Sequence, residues 1–262
     1  IVEDDFIDLF VRFFNKQKYN SFKVLDIAED FNNYLLKNSI SNEDYYISNT
    51  NLAIICRKLE NSGKFLNVGA KRFIFFEEDA LSSDLIELMR EYLSEFDGYG
   101  SVLLFYNQNQ KICSYNNIHD ENELFIVMKR LFAKEFKKSI EFIRNPTLAK
   151  KGIDKETYIE NLLLDLNLPC TVEEYLDYIY NTTGLKQVSV QSNFANIITK
   201  YKNANGMISL DDEYTDEEAQ TFKELLADRE CIGAKLFDFQ VKSVFKNKSN
   251  TFLYAVNWRW NK

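Results

Sequence analysis

The chain has 262 residues, 45% of them apolar and 27% charged, with 8 Gly and 2 Pro. Enough apolar surface is present for a core, which excludes a collagen-like, linker-like or wholly disordered chain. The shortage of residues suited to φ > 0 turns predicts that helices dominate. Lys and Arg number 32 against 40 Asp and Glu, a net charge of −8, so the whole-molecule field repels phosphate polyanions and a nucleic-acid site has to be a local patch.

In residues 1–80 the apolar stripe Phe6, Leu9, Phe10, Phe13 and Phe14 predicts a first helix. Val24, Ile27, Ala28, Phe31 and Leu35 predict a second, and Leu52, Ile55, Cys56 and Leu59 a third, because recurrence at i, i+3, i+4, i+7 marks a helix with one buried face. Asn38 to Asp44 reads as an insertion between the second and third. Gly63 ends the third helix, and the apolar runs Lys64 to Val68 and Arg72 to Phe76 around Gly69-Ala70 predict a hairpin.

Residues 81–152 and 153–212 repeat one another at an offset of 70. Leu88, Met89, Tyr92, Leu93 and Phe96 fall on Tyr158, Ile159, Leu162, Leu163 and Leu166. Val102, Phe105 and Tyr106 fall on Val172, Tyr175 and Leu176, and Leu124, Val127, Met128 and Leu131 on Phe194, Ile197, Ile198 and Tyr201. Each segment predicts three amphipathic helices and then a short strand, Ile140 to Ile143 in one and Met207 to Leu210 in the other, the latter entered from Asn205-Gly206. Ser83 with Asp84 opens a first helix. Ser101 and Thr171 take N-cap positions of second helices, and Thr171 to Glu174 completes a capping box. In residues 213–262, after the acidic run Asp211 to Glu213, a helix is predicted from Asp216 to Leu226. Alternation of Phe237, Phe239 and Val241, then Phe252, Tyr254, Val256, Trp258 and Trp260, across Lys246 to Asn250 predicts a β-hairpin.

Few residues suggest chemistry. Cys56, Cys113, Cys170 and Cys231 are widely separated and match no zinc or redox spacing, so they read as core thiols of a reducing compartment. The single histidine, His119, precedes a predicted helix and reads as a surface or capping residue. The pairs Glu173-Glu174 and Glu217-Glu218 lie in first turns of predicted helices, where the macrodipole accounts for them. Nucleotide-binding glycine loops, nucleophile elbows and zinc-protease strings are missing, so no catalysis, metal or cofactor is expected of this segment. No run is long enough to span a bilayer and no basic-then-apolar leader opens the chain, the expectation being a cytoplasmic protein. A start at Ile1-Val2-Glu3 without Met suggests a segment of a longer polypeptide.

The order helix, helix, helix, hairpin resembles the winged helix-turn-helix superfamily, most clearly from Phe6 to Phe76 and in looser form from Ser83 to Ile143 and Thr157 to Leu210. The fold class expected is mainly α with short β-hairpins: tandem winged-helix-like repeats at 1–80, 81–152 and 153–212, then a C-terminal helix plus hairpin at 213–262. The resemblance implies a scaffold used both for DNA recognition and for protein contacts. A helix-turn-helix reader presents the N-terminal side chains of its third helix to base edges and uses Lys and Arg on phosphates. That rule nominates Asn49, Thr50, Asn51, Arg57 and Lys58 on the first third helix, with Lys64, Lys71 and Arg72 in its hairpin. It also nominates Lys129, Arg130, Lys134, Lys137, Lys138 and Arg144 in the second repeat, and Asn193, Asn196, Lys200 and Lys202 occupy the related stretch of the third. The expected function is a non-catalytic duplex-DNA-binding segment of a transcriptional regulator or a larger nucleic-acid-handling protein. The alternative is a protein-protein interaction scaffold that meets other subunits through Trp258 and Trp260. Acids match or outnumber bases in all three repeats, and charges opposite an apolar stripe are also what a solvated helix face shows.

Overall fold

The computed structural model describes residues 5–17, 21–209, 217, 220–221, 224, 234–246 and 248. The chain divides into two compact units, residues 1–151 and 152–262, and is mainly helical with small antiparallel sheets.

The first unit opens with α1 (Phe6–Gln17), β1 (Ser21–Lys23), α2 (Ala28–Lys37), a 3-10 turn at Glu43–Tyr45, α3 (Leu52–Asn61), β2 (Phe65–Gly69) and β3 (Arg72–Phe75). It continues with α4 (Ser83–Glu95), β4 (Tyr99–Ser101), α5 (Leu103–Gln108), α6 (Gln110–Tyr115), α7 (Glu121–Phe132), β5 (Ile140–Phe142) and β6 (Thr147–Lys150). In the second unit α8 (Lys155–Asn161), a 3-10 turn at Leu162–Asp165, β7 (Cys170–Thr171), α9 (Val172–Thr183), α10 (Gln187–Asn193), α11 (Ala195–Tyr201) and β8 (Met207–Ile208) are followed by α12 (Ala234–Val244). Helix, strand, helices, strand thus recurs three times. The sheet orders β1-β3-β2 and β4-β6-β5 are equivalent, whereas the third sheet is the pair β7-β8.

Local chemistry explains several element ends. Ser82, one residue before the expected cap, accepts from the Leu85 N–H at 3.4 Å, and Asp120 accepts from the N–H groups of Asn122 and Glu123 at 2.9 and 2.8 Å. Thr171 and Glu174 form the expected reciprocal box around the start of α9. Val24 and Ile27 are buried but sit in the turns ahead of α2 rather than on it. The single second helix expected in residues 81–152 is two short helices that meet at Asn109, whose side chain donates to the Phe105 carbonyl at 2.9 Å.

The first strand expected of the C-terminal β-hairpin is corrected. Phe237, Phe239 and Val241 lie within α12; Val241 and, four residues on and just past the helix end, Phe245 are buried, while Phe239 is exposed. Apolar residues at both i+2 and i+4 spacing fit either period, and burial follows the helical one. Phe252 to Trp260, including Trp258 and Trp260, and the acidic run Asp211 to Glu213 lie outside the described residues. Within the expected helix from Asp216 to Leu226, the described residues Glu217, Gln220, Thr221 and Glu224 are helical.

Two cores fill the first unit. One is an aromatic cluster from α1, α2, α3 and the first hairpin. The fully buried Phe10 ring lies 4.9 Å from Phe31, 5.3 Å from Phe65 and 5.7 Å from Phe22, mostly in the tilted and edge-on geometries aromatic rings favour. The other joins α4, α5, α6, α7 and the β4-β6-β5 sheet. The β2-β3 hairpin belongs to both: Phe65 and Phe73 face the first core, and Val68, Ile74 and Phe76 face the second. A hairpin buried on both faces needs apolar residues at successive positions rather than alternating ones, which is the pattern Arg72-Phe-Ile-Phe-Phe76 carries. Its tip, Ala70-Lys71, takes positive φ at both residues (49° and 59°) and so forms the two-residue turn whose twist suits a hairpin.

Candidate nucleic-acid interface

Helix α3 is oriented by the loop before it. The Asn32 side chain on α2 clamps Ile47, donating to its carbonyl at 2.9 Å and accepting from its N–H at 2.8 Å. Asn51 closes the same loop. It donates to the Tyr46 carbonyl at 2.6 Å and accepts from the Ser48 N–H at 3.0 Å and, through the same oxygen, from the Ser48 hydroxyl at 3.2 Å. An amide so engaged holds the helix start; releasing it to read a base would open the loop.

With Leu52, Ile55 and Leu59 buried, α3 presents Ala53, Ile54, Arg57, Glu60 and Asn61 to solvent, with Thr50 exposed in the turn ahead of it, and the Glu60 carboxylate accepts from the Asn67 side chain. Within the helix these positions follow i, i+1, i+4, i+7 and i+8 from Ala53, one face of the helix. No acidic residue stands in the first turn, so the partial positive charge of the helix N-terminus is not neutralised by side chains of that turn. Asn49 is exposed just ahead of the helix. Thr50 shares a hydrogen bond with the Ser48 hydroxyl at 2.8 Å. At the hairpin tip Lys71 is exposed, and its ammonium lies close enough to Cys56 to work against the burial that raises that thiol's pKa.

Other nominated side chains are engaged inside the protein. Lys58 lays its ammonium over the Phe6 ring at 5.3 Å and the Tyr45 ring at 5.9 Å. Lys64 pairs with Asp8 at 3.6 Å across exposed surface, a weak tie. Arg72 bridges β3 to α7, donating to Asp120 at 2.7 Å and to Glu123 at 3.5 Å. Glu123 is only 1% exposed and its other oxygen accepts from the His119 N–H at 2.8 Å. Burial works to raise the Asp120 pKa, but the Glu123 N–H, Arg72 and the Asn122 N–H outweigh it and hold the carboxyl below its ordinary value. His119 accompanies this cluster, its Nδ1 3.4 Å from Glu123 and its carbonyl accepting from the Tyr106 hydroxyl at 2.5 Å. Among the described residues, no group of three His, Cys, Asp or Glu side chains is placed to hold a metal ion.

Helix α7 differs from α3 in the two respects that matter to a polyanion. Its N-terminus carries Asp120, Glu121 and Glu123, which repel phosphate where α3 has none. It also packs against β2 of the first hairpin, with Glu123, Leu124, Phe125, Val127, Met128 and Phe132 buried. What remains outside is its C-terminal end. Lys129 and Arg130 occupy the last turn, where cations complement the dipole, and the Arg130 guanidinium reaches Gly63 just beyond α3. Lys134, Lys137, Lys138 and Arg144 are exposed in the segments that follow, and among the described residues none of these four forms an ion pair. In the second unit Asn196 donates to Glu156 at 3.2 Å and Lys200 to Glu160 at 2.6 Å. The bonds from Lys200 and from the Tyr201 hydroxyl lower the Glu160 pKa.

The two-sided burial of the hairpin was open to sequence reasoning through its unbroken apolar run. The pairing of Arg72 was not, because Asp120 and Glu123 lie about fifty residues away in the chain. Comparison with known proteins finds no matching family model, no matching curated protein and no matching solved structure. Among the described residues no helix is long and apolar enough to cross a membrane.

Proposed function

We propose that the protein is a duplex-DNA-binding segment built on winged-helix-like repeats, in which α3 of the first repeat meets the major groove and the second repeat, through α7, buttresses its hairpin. The recurring element order and the equivalent sheet orders β1-β3-β2 and β4-β6-β5 support the winged-helix-like description. The observation that carries the DNA reading is the outward stripe of α3, with an acid-free first turn and Arg57 and Lys71 exposed beside it. Such a helix is suited to base edges and phosphates at once. Lys134, Lys137 and Lys138 serve as sequence-independent backbone contacts. Arg72 and Asn51 are assigned to structure, and so is α7.

The test is fluorescence anisotropy of the whole chain on random-sequence duplex DNA at two salt concentrations. Binding is expected at low salt, weakening with a slope of about −0.9 per phosphate contacted. Arg57→Ala with Lys71→Ala, and separately Lys137→Ala with Lys138→Ala, should weaken it on every sequence. Absence of binding at low salt overturns the proposal.

A further inference from the structure

The α3 stripe has a feature that attraction to phosphate leaves unexplained. Between Thr50 and Arg57 stand two apolar side chains, Ala53 and Ile54, and Ile54 is 59% exposed. The core takes Leu52, Ile55 and Leu59 from the opposite side. Nor does a β-branched residue standing in water favour the helix, since its χ1 freedom is restricted against the preceding turn.

We infer that this stripe reads thymine: Ile54, with the Ala53 methyl beside it, packs against the C5-methyl groups of thymines in the major groove while Arg57 and Lys71 hold flanking phosphates. The inference rests on the DNA reading above and names what that site recognises. The mixed character of the face selects the occupant. A wholly apolar partner would desolvate Arg57 and Lys71 without pairing them. A phosphate backbone alone offers Ile54 nothing apolar to cover. A thymine-bearing major groove supplies both, because the methyl group projects into the groove between two rows of phosphates and is met by apolar side chains. Asn51, the residue whose amide suits adenine, is tied into the loop, so discrimination falls to shape and methyl contact rather than to a bidentate amide.

The experiment compares binding of the whole chain to an alternating dA·dT duplex and to the same duplex with deoxyuridine in place of thymidine, which removes the methyl and leaves charge and pairing unchanged. The thymine duplex should bind about fourfold more tightly for each methyl contacted, the effect of burying one apolar carbon. Ile54→Ser, at a solvent-facing position, should abolish that preference while leaving the unfolding temperature and the salt slope as they were. Equal binding of both duplexes by the native chain overturns the inference and leaves the DNA reading standing. No binding to either overturns the DNA reading itself. A thymine preference that survives in Ile54→Ser removes Ile54 from the site and overturns the inference as well.

Discussion

Replacing Arg72 by Met separates a DNA contact from a structural tie. The guanidinium joins the hairpin to the start of α7 through Asp120 at 2.7 Å and Glu123 at 3.5 Å, with Arg72 and Asp120 side chains 28% and 29% exposed and Glu123 1% exposed. Removing one partner of a fully buried pair costs about 3–5 kcal/mol, because a charge is left uncompensated. Here two of the three groups keep partial access to water, and Glu123 retains the His119 N–H at 2.8 Å. The expected loss is therefore smaller, about 2 kcal/mol. In a unit of this size that is a fall of about 4–8 °C in unfolding temperature. The pH dependence has a definite sign. The Asp120 pKa is lowered in the folded chain, so its contribution is present above the unfolded value of about 3.9 and is lost as pH falls through the lower folded value. Arg72→Met should raise that folded value, since burial then meets less opposition, and the native chain's advantage over the variant should shrink on acidification below about pH 4. Thermal unfolding by circular dichroism across that range, with amide exchange read at β2 and β3, measures both effects. If Arg72→Met leaves the unfolding temperature unchanged yet weakens DNA binding as Arg57→Ala does, the structural assignment is wrong and Arg72 is a phosphate contact.

Lys71 takes φ 59° at the hairpin tip, so Lys71→Gly should relieve a left-handed backbone by about 1 kcal/mol while lowering the magnitude of the DNA salt slope by about 0.9. Unfolding and anisotropy measurements should move in opposite senses, and a loss of both stability and binding would contradict this reading of the turn. In the second unit Thr171→Ala should cost about 1 kcal/mol through the lost N-cap. The Glu174 carboxyl, now held below its ordinary pKa by the Thr171 N–H and hydroxyl, should keep only part of that lowering, which a side-chain titration by nuclear magnetic resonance would read.

What the sequence by itself determined is the set of long helices and their inward faces. Phe6 to Phe14, Leu52 to Leu59 and Leu124 to Leu131 repeat their apolar residues at helical spacing, and a periodic stripe has one low-energy orientation against a core. The capping box at Thr171 was equally legible, because its partners are three residues apart. Short edge strands such as β1 and β4 were not, since three residues carry too little pattern and form only because a hairpin strand lies alongside. The site followed the same division. Exposure of Arg57 and Ile54 comes from helical periodicity, but which of the nominated cations are available to a ligand depended on tertiary structure alone. Arg72 met two carboxylates from α7, Lys58 met two aromatic rings, and α7 itself was covered by the hairpin of the preceding repeat. Those are contacts between residues far apart in the chain. A single side chain's charge carries no record of the partner that folding will bring to it.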